Sequence, residues 1–355
     1  MTPTLLLAVI IAVSVTLYAL LAGADYGAGV WDLLSSGPLK EEQKELIANA
    51  IQPIWEANHV WLILILVLLF SGFPKAFGVI MVALFIPILL MLLGIALRGS
   101  SFVFRAYSTP DSRMQRTWAY VFSAASCFTP FFLGVVLGSL SAGRVVVVDD
   151  ASVNGYVLSW LNPFSIAVGT FTLVLFAHLA AAFLTVEALT QRLRQDFRNR
   201  AIGAGLIAGC LEVLAFVLTA WYARGLRDGL LHDALARTAV LAAAIALIAG
   251  IVALFKERFG LARMMAAAHT GAIAIGWAAA QYPYIVRPGI TIANSVSSDI
   301  TVRYFVLASL AGAFVLFPSL TLLLYVFKDQ RRLRPPIVTP PAPAFVKTSP
   351  TQPLN

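Results

Sequence analysis

Residues 46–73 read LIANAIQPIWEANHVWLILILVLLFSGF. The stretch is longer than the roughly 20 apolar residues a helix needs to cross a bilayer core. It reads as a membrane helix, and Glu56, Asn58 and His59 stand inside it. Working outward, comparable apolar runs recur at 4–31, 76–98, 117–141, 159–189, 201–223, 236–255, 261–281 and 302–327. With 46–73 they make nine expected spans, joined by short loops.

Composition agrees. Of 355 residues 60% are apolar and 12% charged, where a soluble domain carries about a quarter charged. Mean hydropathy is +0.86. A soluble enzyme, a disordered chain and a secreted disulfide scaffold are excluded on this ground. The expected fold is all-α, a polytopic integral membrane protein with a helical domain over 1–328. Two four-helix bundles with one peripheral helix are the expected packing, although no internal repeat is visible in the residues. Residues 329–355 form a Pro-rich tail, with seven prolines between Pro335 and Asn355, a composition that builds no core.

The net charge of +8 suits an anionic membrane surface rather than nucleic acid, because the basic residues sit in loops between apolar runs. The odd-numbered loops and the tail hold 18 Lys and Arg, the even-numbered loops 7. Excess basic charge marks the cytoplasmic side, so the N-terminus is expected to face outward and the C-terminus the cytoplasm. No basic residue precedes the first run, so the first helix is expected to be retained. Cys127 and Cys210 lie in apolar runs without a C-x-x-C and read as small packing residues.

A charged side chain at mid-bilayer costs at least ~2.5–3.5 kcal/mol, which makes each one a functional candidate. These are Asp25, Glu56, His59, His178, Glu187, Glu212 and His269. Glu56 and His59 are three apart and share a helix face, with Trp55, Asn58 and Trp61 around them and Pro53 bending the helix start. Such a pair either passes protons or docks a neighbouring helix. In the first run, Gly23 and Gly27 form a G-x-x-x-G that admits close helix approach. Asp25 and Asp32 lie seven apart on one face. Asp25 is expected to pair with Arg98, which closes the third span. His178 and His269 each stand alone in apolar surroundings, either as formal haem ligands or as histidines bonded to a neighbouring helix. Glu187 reads as a solvated helix end, Glu212 as a structural or lipid-edge acid, and Arg192, Arg194, Arg198 and Arg200 as a topology signal. No H-E-x-x-H, G-x-x-x-x-G-K-[ST] or G-x-S-x-G occurs.

Four segments carry a resemblance. Gly23-Ala24-Asp25-Tyr26-Gly27-Ala28-Gly29 resembles the first-helix motif of subunit II of the cytochrome bd-type quinol oxidases. Trp55-Glu56-Ala57-Asn58-His59-Val60-Trp61 resembles the second-helix motif of that family. Asn162-Pro163-Phe164 is similar to its fifth-helix entry. Tyr282-Pro283-Tyr284-Ile285-Val286-Arg287-Pro288, followed by Thr291 to Ser298, is similar to the segment before its last helix.

The resemblance implies a heterodimeric terminal oxidase that oxidises quinol and reduces O₂ to water. The haem-bearing subunit I holds haem b and haem d, so no cofactor or metal is expected on this chain, although a bound quinone or lipid stays open. Glu56 and Asp25 match acids associated with a proton route from the cytoplasm, and Trp61 an aromatic position near O₂ entry. His59 matches a position that varies, which weakens a proton-carrying role. Trp55, Asn58, Arg98, Gly23 and Gly27 are expected to be structural. Expected partners are subunit I, a small accessory transmembrane subunit and membrane lipid. A secondary transporter and a purely structural membrane subunit are the alternatives that the residues leave open.

Overall fold

The computed structural model describes residues 2–51, 58–108, 112–148, 151–152 and 155–333. Its long elements are α1 (Pro3–Leu33), α2 (Lys40–Ile51), α3 (Val60–Gly72), α4 (Pro74–Ala83), α5 (Phe85–Tyr107), α6 (Arg113–Ser141), α7 (Pro163–Glu187), α8 (Gln191–Tyr222), α9 (Arg224–His232), α10 (Ala234–Phe255), α11 (Phe259–Gln281) and α12 (Asp299–Leu333). Two small antiparallel hairpins, β1 (Val147–Val148) with β2 (Ala151–Ser152) and β3 (Tyr284–Val286) with β4 (Ile290–Thr291), and three short helical turns, Gly37–Leu39, Gly155–Leu158 and Ile292–Ser295, complete the described elements. The chain is all-α in character, as expected.

Local chemistry sets the helix starts. The first amides of a helix lack intrahelical acceptors, and a Ser, Thr, Asp or Asn side chain supplies one. Thr2, Ser112, Asn162, Thr190 and Asp233 do so for α1, α6, α7, α8 and α10. Asn162 Oδ1 accepts from Ser165 N at 3.0 Å, and Pro163 fills the first helical position, where no donor is needed. This gives the Asn162-Pro163-Phe164 motif a physical meaning.

Seven described helices are long and apolar enough to cross a membrane, and an eighth span exists if α3 and α4 count as one. The expected count of nine is not reached, for two reasons. The run at 261–281 forms α11, but Arg263, His269 and Gln281 dilute its hydropathy. The run at 76–98 is split at Leu84, which ends α4 and precedes α5, and α4 joins the run before it. Phe73 leaves helical geometry (φ −133°, ψ 60°), Pro74 starts α4, and α3 and α4 meet at a bend of 115°. The third span is therefore α5. It runs nine residues past Arg98 to Tyr107, so Arg98 does not close it.

Within Met1–Gly312, one compact unit, α1 packs against α3, α6, α7 and α11, α5 against α6, α7 against α6 and α8, and α10 against α11. The expected two-bundle division is not apparent from this packing, because α1 and α7 touch helices on both sides. Between α10 and α11 the contact is made by small residues. Ala236, Ala239, Ala243, Ala246, Gly250 and Ala253 are buried on α10, which lets the backbones approach. At one end Leu7, Leu68, Phe73, Ala76, Val302 and Val306 form an apolar core. A second unit, Ala313–Asn355, contains the remainder of α12 with Pro318 inside the helix. The tail beyond Leu333 lies outside the described residues.

The two ends are tied differently. At the end rich in Arg, Gln43 donates to Asp196 at 3.0 Å, Arg198 Nε donates to the terminal carbonyl of Leu254 at 2.8 Å, and Arg263 pairs with Glu187 at 3.6 Å. Arg198 thus satisfies a helix C-terminus and complements its dipole. Glu187, expected to be merely solvated, has this ion pair. At the opposite end the 282–298 segment forms a cap. Arg287 N donates to Leu140 O, Arg287 Nη2 to Ala280 O, and Ser297 N to Gly72 O. Gln281 joins Ser141 to the cap. Partial burial lowers the Arg287 guanidinium from its ordinary value, while Tyr284 and Asp228 act the other way.

Candidate functional site

The site is built on the half of α1 that ends at Leu33. Tyr18, Asp25 and Asp32 lie seven apart, which is close to two turns, so one face carries all three. All three are buried. Asp25 stands ~12 Å along the helix from Leu33 at 1.5 Å per residue. A carboxylate there needs a charge and donors to replace water.

Arg98 supplies both. Its Nη2 donates to Asp25 Oδ1 at 2.6 Å, with side-chain exposures of 2% and 5%. Nε donates to Ser126 Oγ at 2.9 Å, and Ser126 in turn donates to Phe122 O. The guanidinium carbon lies 4.8 Å from the Tyr26 ring centroid and 4.7 Å from that of Phe122. The cation is thus held between two aromatic faces. Among the described residues Asp25 Oδ2 and Arg98 Nη1 have no hydrogen-bond partner. Asp32, one step toward the helix end, accepts from Ser123 Oγ. The expected Asp25–Arg98 pair is formed.

Glycine makes room for this arrangement. A methyl on Gly27 would collide with the carbonyl oxygen of Phe176, and one on Gly23 would lie 2.7 Å from Cδ1 of the Phe176 ring. Gly29 faces Ser126 in the same way. The G-x-x-x-G therefore seats α1 directly on α7, and Trp31 Nε1 locks the pair by donating to Ala177 O at 2.8 Å.

The second motif is only partly placed. Trp55 and Glu56 lie outside the described residues, as does the geometry expected between Glu56 and His59. Asn58 and Trp61 are each 4% exposed. The His59 ring lies 6.2 Å from that of Tyr18 and 6.1 Å from that of Tyr26. The two tyrosine hydroxyls are 3.4 Å apart, a loose contact for an O–H···O bond. The structure thus gathers Asp25, Arg98, Tyr26 and Tyr18 in one buried group, with the half-buried His59 ring against the two tyrosines. Sequence reading missed Tyr18, Tyr26, Ser123 and Ser126. The seven-residue spacing from Asp32 through Asp25 extends to Tyr18 and was the available signal.

His178 and His269 do not stand alone. Their rings lie 6.2 Å apart at 70°, and His269 Nε2 is 3.4 Å from Glu212 Oε2. His178 Nδ1 meets Ala201 O of α8 at 2.9 Å. Sequence reading treated the three as separate, because nothing in their spacing brings α7, α8 and α11 together. Among the described residues no group of three His, Cys, Asp or Glu is arranged to hold a metal ion.

Comparison with known proteins places this geometry. The family model described as cytochrome bd terminal oxidase subunit II matches residues 3–327. A Bacillus subtilis (strain 168) protein with the provisional name cytochrome bd menaquinol oxidase subunit II is 24% identical over 338 residues, 90% of this chain and 94% of that protein. The cytochrome bd ubiquinol oxidase subunit 2 of the same organism is 29% identical over 194 residues, 54% of each chain. A chain in the structure of bd oxidase from Geobacillus thermodenitrificans shares the fold, with a TM-score of 0.74 at 21% identity over 92% of this chain and 99% of that one. The chain belongs to the cytochrome bd terminal oxidase subunit II family and is a subunit of a quinol oxidase complex.

Proposed function

We propose that this chain carries protons from the cytoplasm toward a haem-bearing subunit I, through the buried group built on Asp25. The observation that carries the reading is the Asp25–Arg98 pair, fully enclosed and yet with one carboxylate oxygen left over among the described residues. Arg98 holds Oδ1, and Oδ2 is the atom that carries the moving proton. Asp32 and Ser123 form the entry step, and Tyr26, Tyr18 and His59 continue the group inward. Glu56, two residues before Asn58, is assigned to the same route. Trp61 lines the O₂ side. In this reading the chain crosses the membrane nine times, with α3–α4 and α11 counted as spans. Its N-terminus is periplasmic, its C-terminus is cytoplasmic, residues 1–328 form the membrane domain and 329–355 a tail. Haems b and d sit on subunit I and supply the O₂ chemistry there. Accessory subunits and lipid complete the complex.

The test is Asp25→Asn in the purified heterodimer. The substitution is close in shape and keeps an acceptor for Arg98, but its amide cannot carry the proton. Quinol oxidase turnover falls while haem content per complex stays at the wild-type level. Turnover per haem equal to wild type, with a lower yield of complex, supports the other reading, in which the polar group only docks helices.

A further inference from the structure

The search for ionisable groups outside the Asp25 site leads to His178 on α7, Glu212 on α8 and His269 on α11. Both histidines are buried, at 1% and 0% exposure. A carbonyl oxygen only accepts, so the His178 nitrogen facing Ala201 O carries hydrogen, and in the neutral ring Nε2 is a bare acceptor. A carboxylate also only accepts, so His269 Nε2 carries hydrogen toward Glu212 and Nδ1 is bare. Among the described residues neither bare nitrogen has a hydrogen-bond partner. With neutral rings the cluster therefore holds two buried acceptors without a donor, and one negative charge on an apolar helix. Both are costly inside a membrane.

We propose that His178, Glu212 and His269 form a proton-holding site, separate from the Asp25–Arg98 group. One hydrogen ion from the aqueous phase adds to the Glu212–His269 pair, and the cluster goes from a charge of −1 to zero. The ion rests either on the ring, as imidazolium beside carboxylate, or on the acid, beside a neutral ring. Both arrangements put hydrogen on His269 Nδ1, which gives the cluster the donor it lacks. In the first arrangement a single N–H bond forms, at Nδ1; in the second the Nε2–H bond also breaks as its hydrogen passes to Glu212 Oε2, so the atoms and the charge balance in both. The Glu212 side chain is 22% exposed, on a helix whose Val213 and Phe216 also face outward. Glu212 is thus the member of the cluster that reaches the surface of the chain, and its carboxylate is the point at which the ion enters. The other side is closed. Gly205 presses on the His178 ring, where a methyl would come within 2.9 Å. Ala24, Leu179, Ala182 and Ala266 form an apolar layer joining α1, α7 and α11.

The neighbouring elements add few competing charges. α10 has no ionisable residue between Arg237 and Lys256. On α7 the other ionisable residue is Glu187, paired with Arg263 of α11. On α1 the nearest are Tyr18, against Tyr26, and Asp25, bound to Arg98. On α8 the nearest is Cys210, which is exposed.

The intact complex is treated with a hydrophobic carbodiimide, which modifies protonated carboxyl groups in apolar surroundings, and peptides are mapped across a pH series. Glu212 is modified, and less so as pH rises. In His269→Phe the carboxylate loses its N–H donor, so the profile moves to higher pH. Absence of modification at Glu212 at every pH overturns the proposal, as does an unchanged profile in His269→Phe. Where that variant does not assemble, pH-difference infrared spectra of wild-type complex with isotopically labelled histidine serve instead. A histidine band that titrates together with a carboxyl band, both lost in Glu212→Gln, supports the site. Spectra without such a pair overturn it.

Discussion

Arg98 and Asp25, on helices far apart in the chain, meet at 2.6 Å with almost no exposure of either side chain. A buried pair of this kind contributes little net stability, but removing one member leaves an unpaired charge in a medium that cannot solvate it. Arg98→Ala is therefore expected to cost ~3–5 kcal/mol and to abolish accumulation of the complex. The double variant Arg98→Met with Asp25→Leu removes both charges and recovers much of the yield. Complex recovered after detergent extraction measures both. A double variant no better than Arg98→Ala contradicts the account.

The tyrosines test whether the polar group conducts or only packs. Tyr26→Phe keeps the aromatic face against Arg98 and removes the hydroxyl 3.4 Å from Tyr18. Turnover is expected to fall several-fold at constant haem content, and Tyr18→Phe to act in the same direction. Wild-type turnover in both would remove the tyrosines from the route.

Gly27 faces a carbonyl oxygen rather than a movable side chain. Gly27→Ala forces α1 away from α7 and is expected to cost ~1–3 kcal/mol or more. It should also weaken the Trp31–Ala177 bond. Gly78 has open space around its would-be Cβ, and Gly78→Ala stays within ~1 kcal/mol of wild type, on the stabilising side. Thermal inactivation half-lives of the two variants make the comparison.

Asn162 caps α7, the helix that carries Phe176, Ala177 and His178. Asn162→Ala is expected to cost ~1 kcal/mol, and Asn162→Asp to retain most of the cap. The two are compared by the midpoint of thermal aggregation of the complex.

Much of the helical plan was legible because lipid demands long apolar runs, and runs are visible in one dimension. Where the described helices depart from it, the causes are physical. The runs at 46–73 and 76–98 part at Phe73 and Pro74, but the chain is apolar on both sides of Leu84, so hydropathy alone does not show that α4 ends there and α5 begins. Residues 261–281 look like a span by length, but Arg263, His269 and Gln281 are polar residues satisfied by other helices. At the site, Asp25 and Arg98 were readable because unpaired charges are rare in such a chain. Their setting was not. Ser126, Phe122 and Tyr26 are ordinary residues in sequence, and only packing makes them ligands of a guanidinium. His178 and His269 stand out one by one, but their closeness was not legible, since helix pairing and not spacing brings them together.

The sharp turn between α3 and α4 also works as a stop. A straight rod can slide along its own axis when the surrounding bilayer thins or swells. A rod with a crosswise foot cannot. Ser297 clasps the carbonyl of Gly72 at that foot, and thirteen helical residues separate it from His59, ~20 Å at the usual rise. The imidazole is thus hung at a fixed distance below its own ceiling, and any mismatch with lipid thickness has to be absorbed by tilting elsewhere.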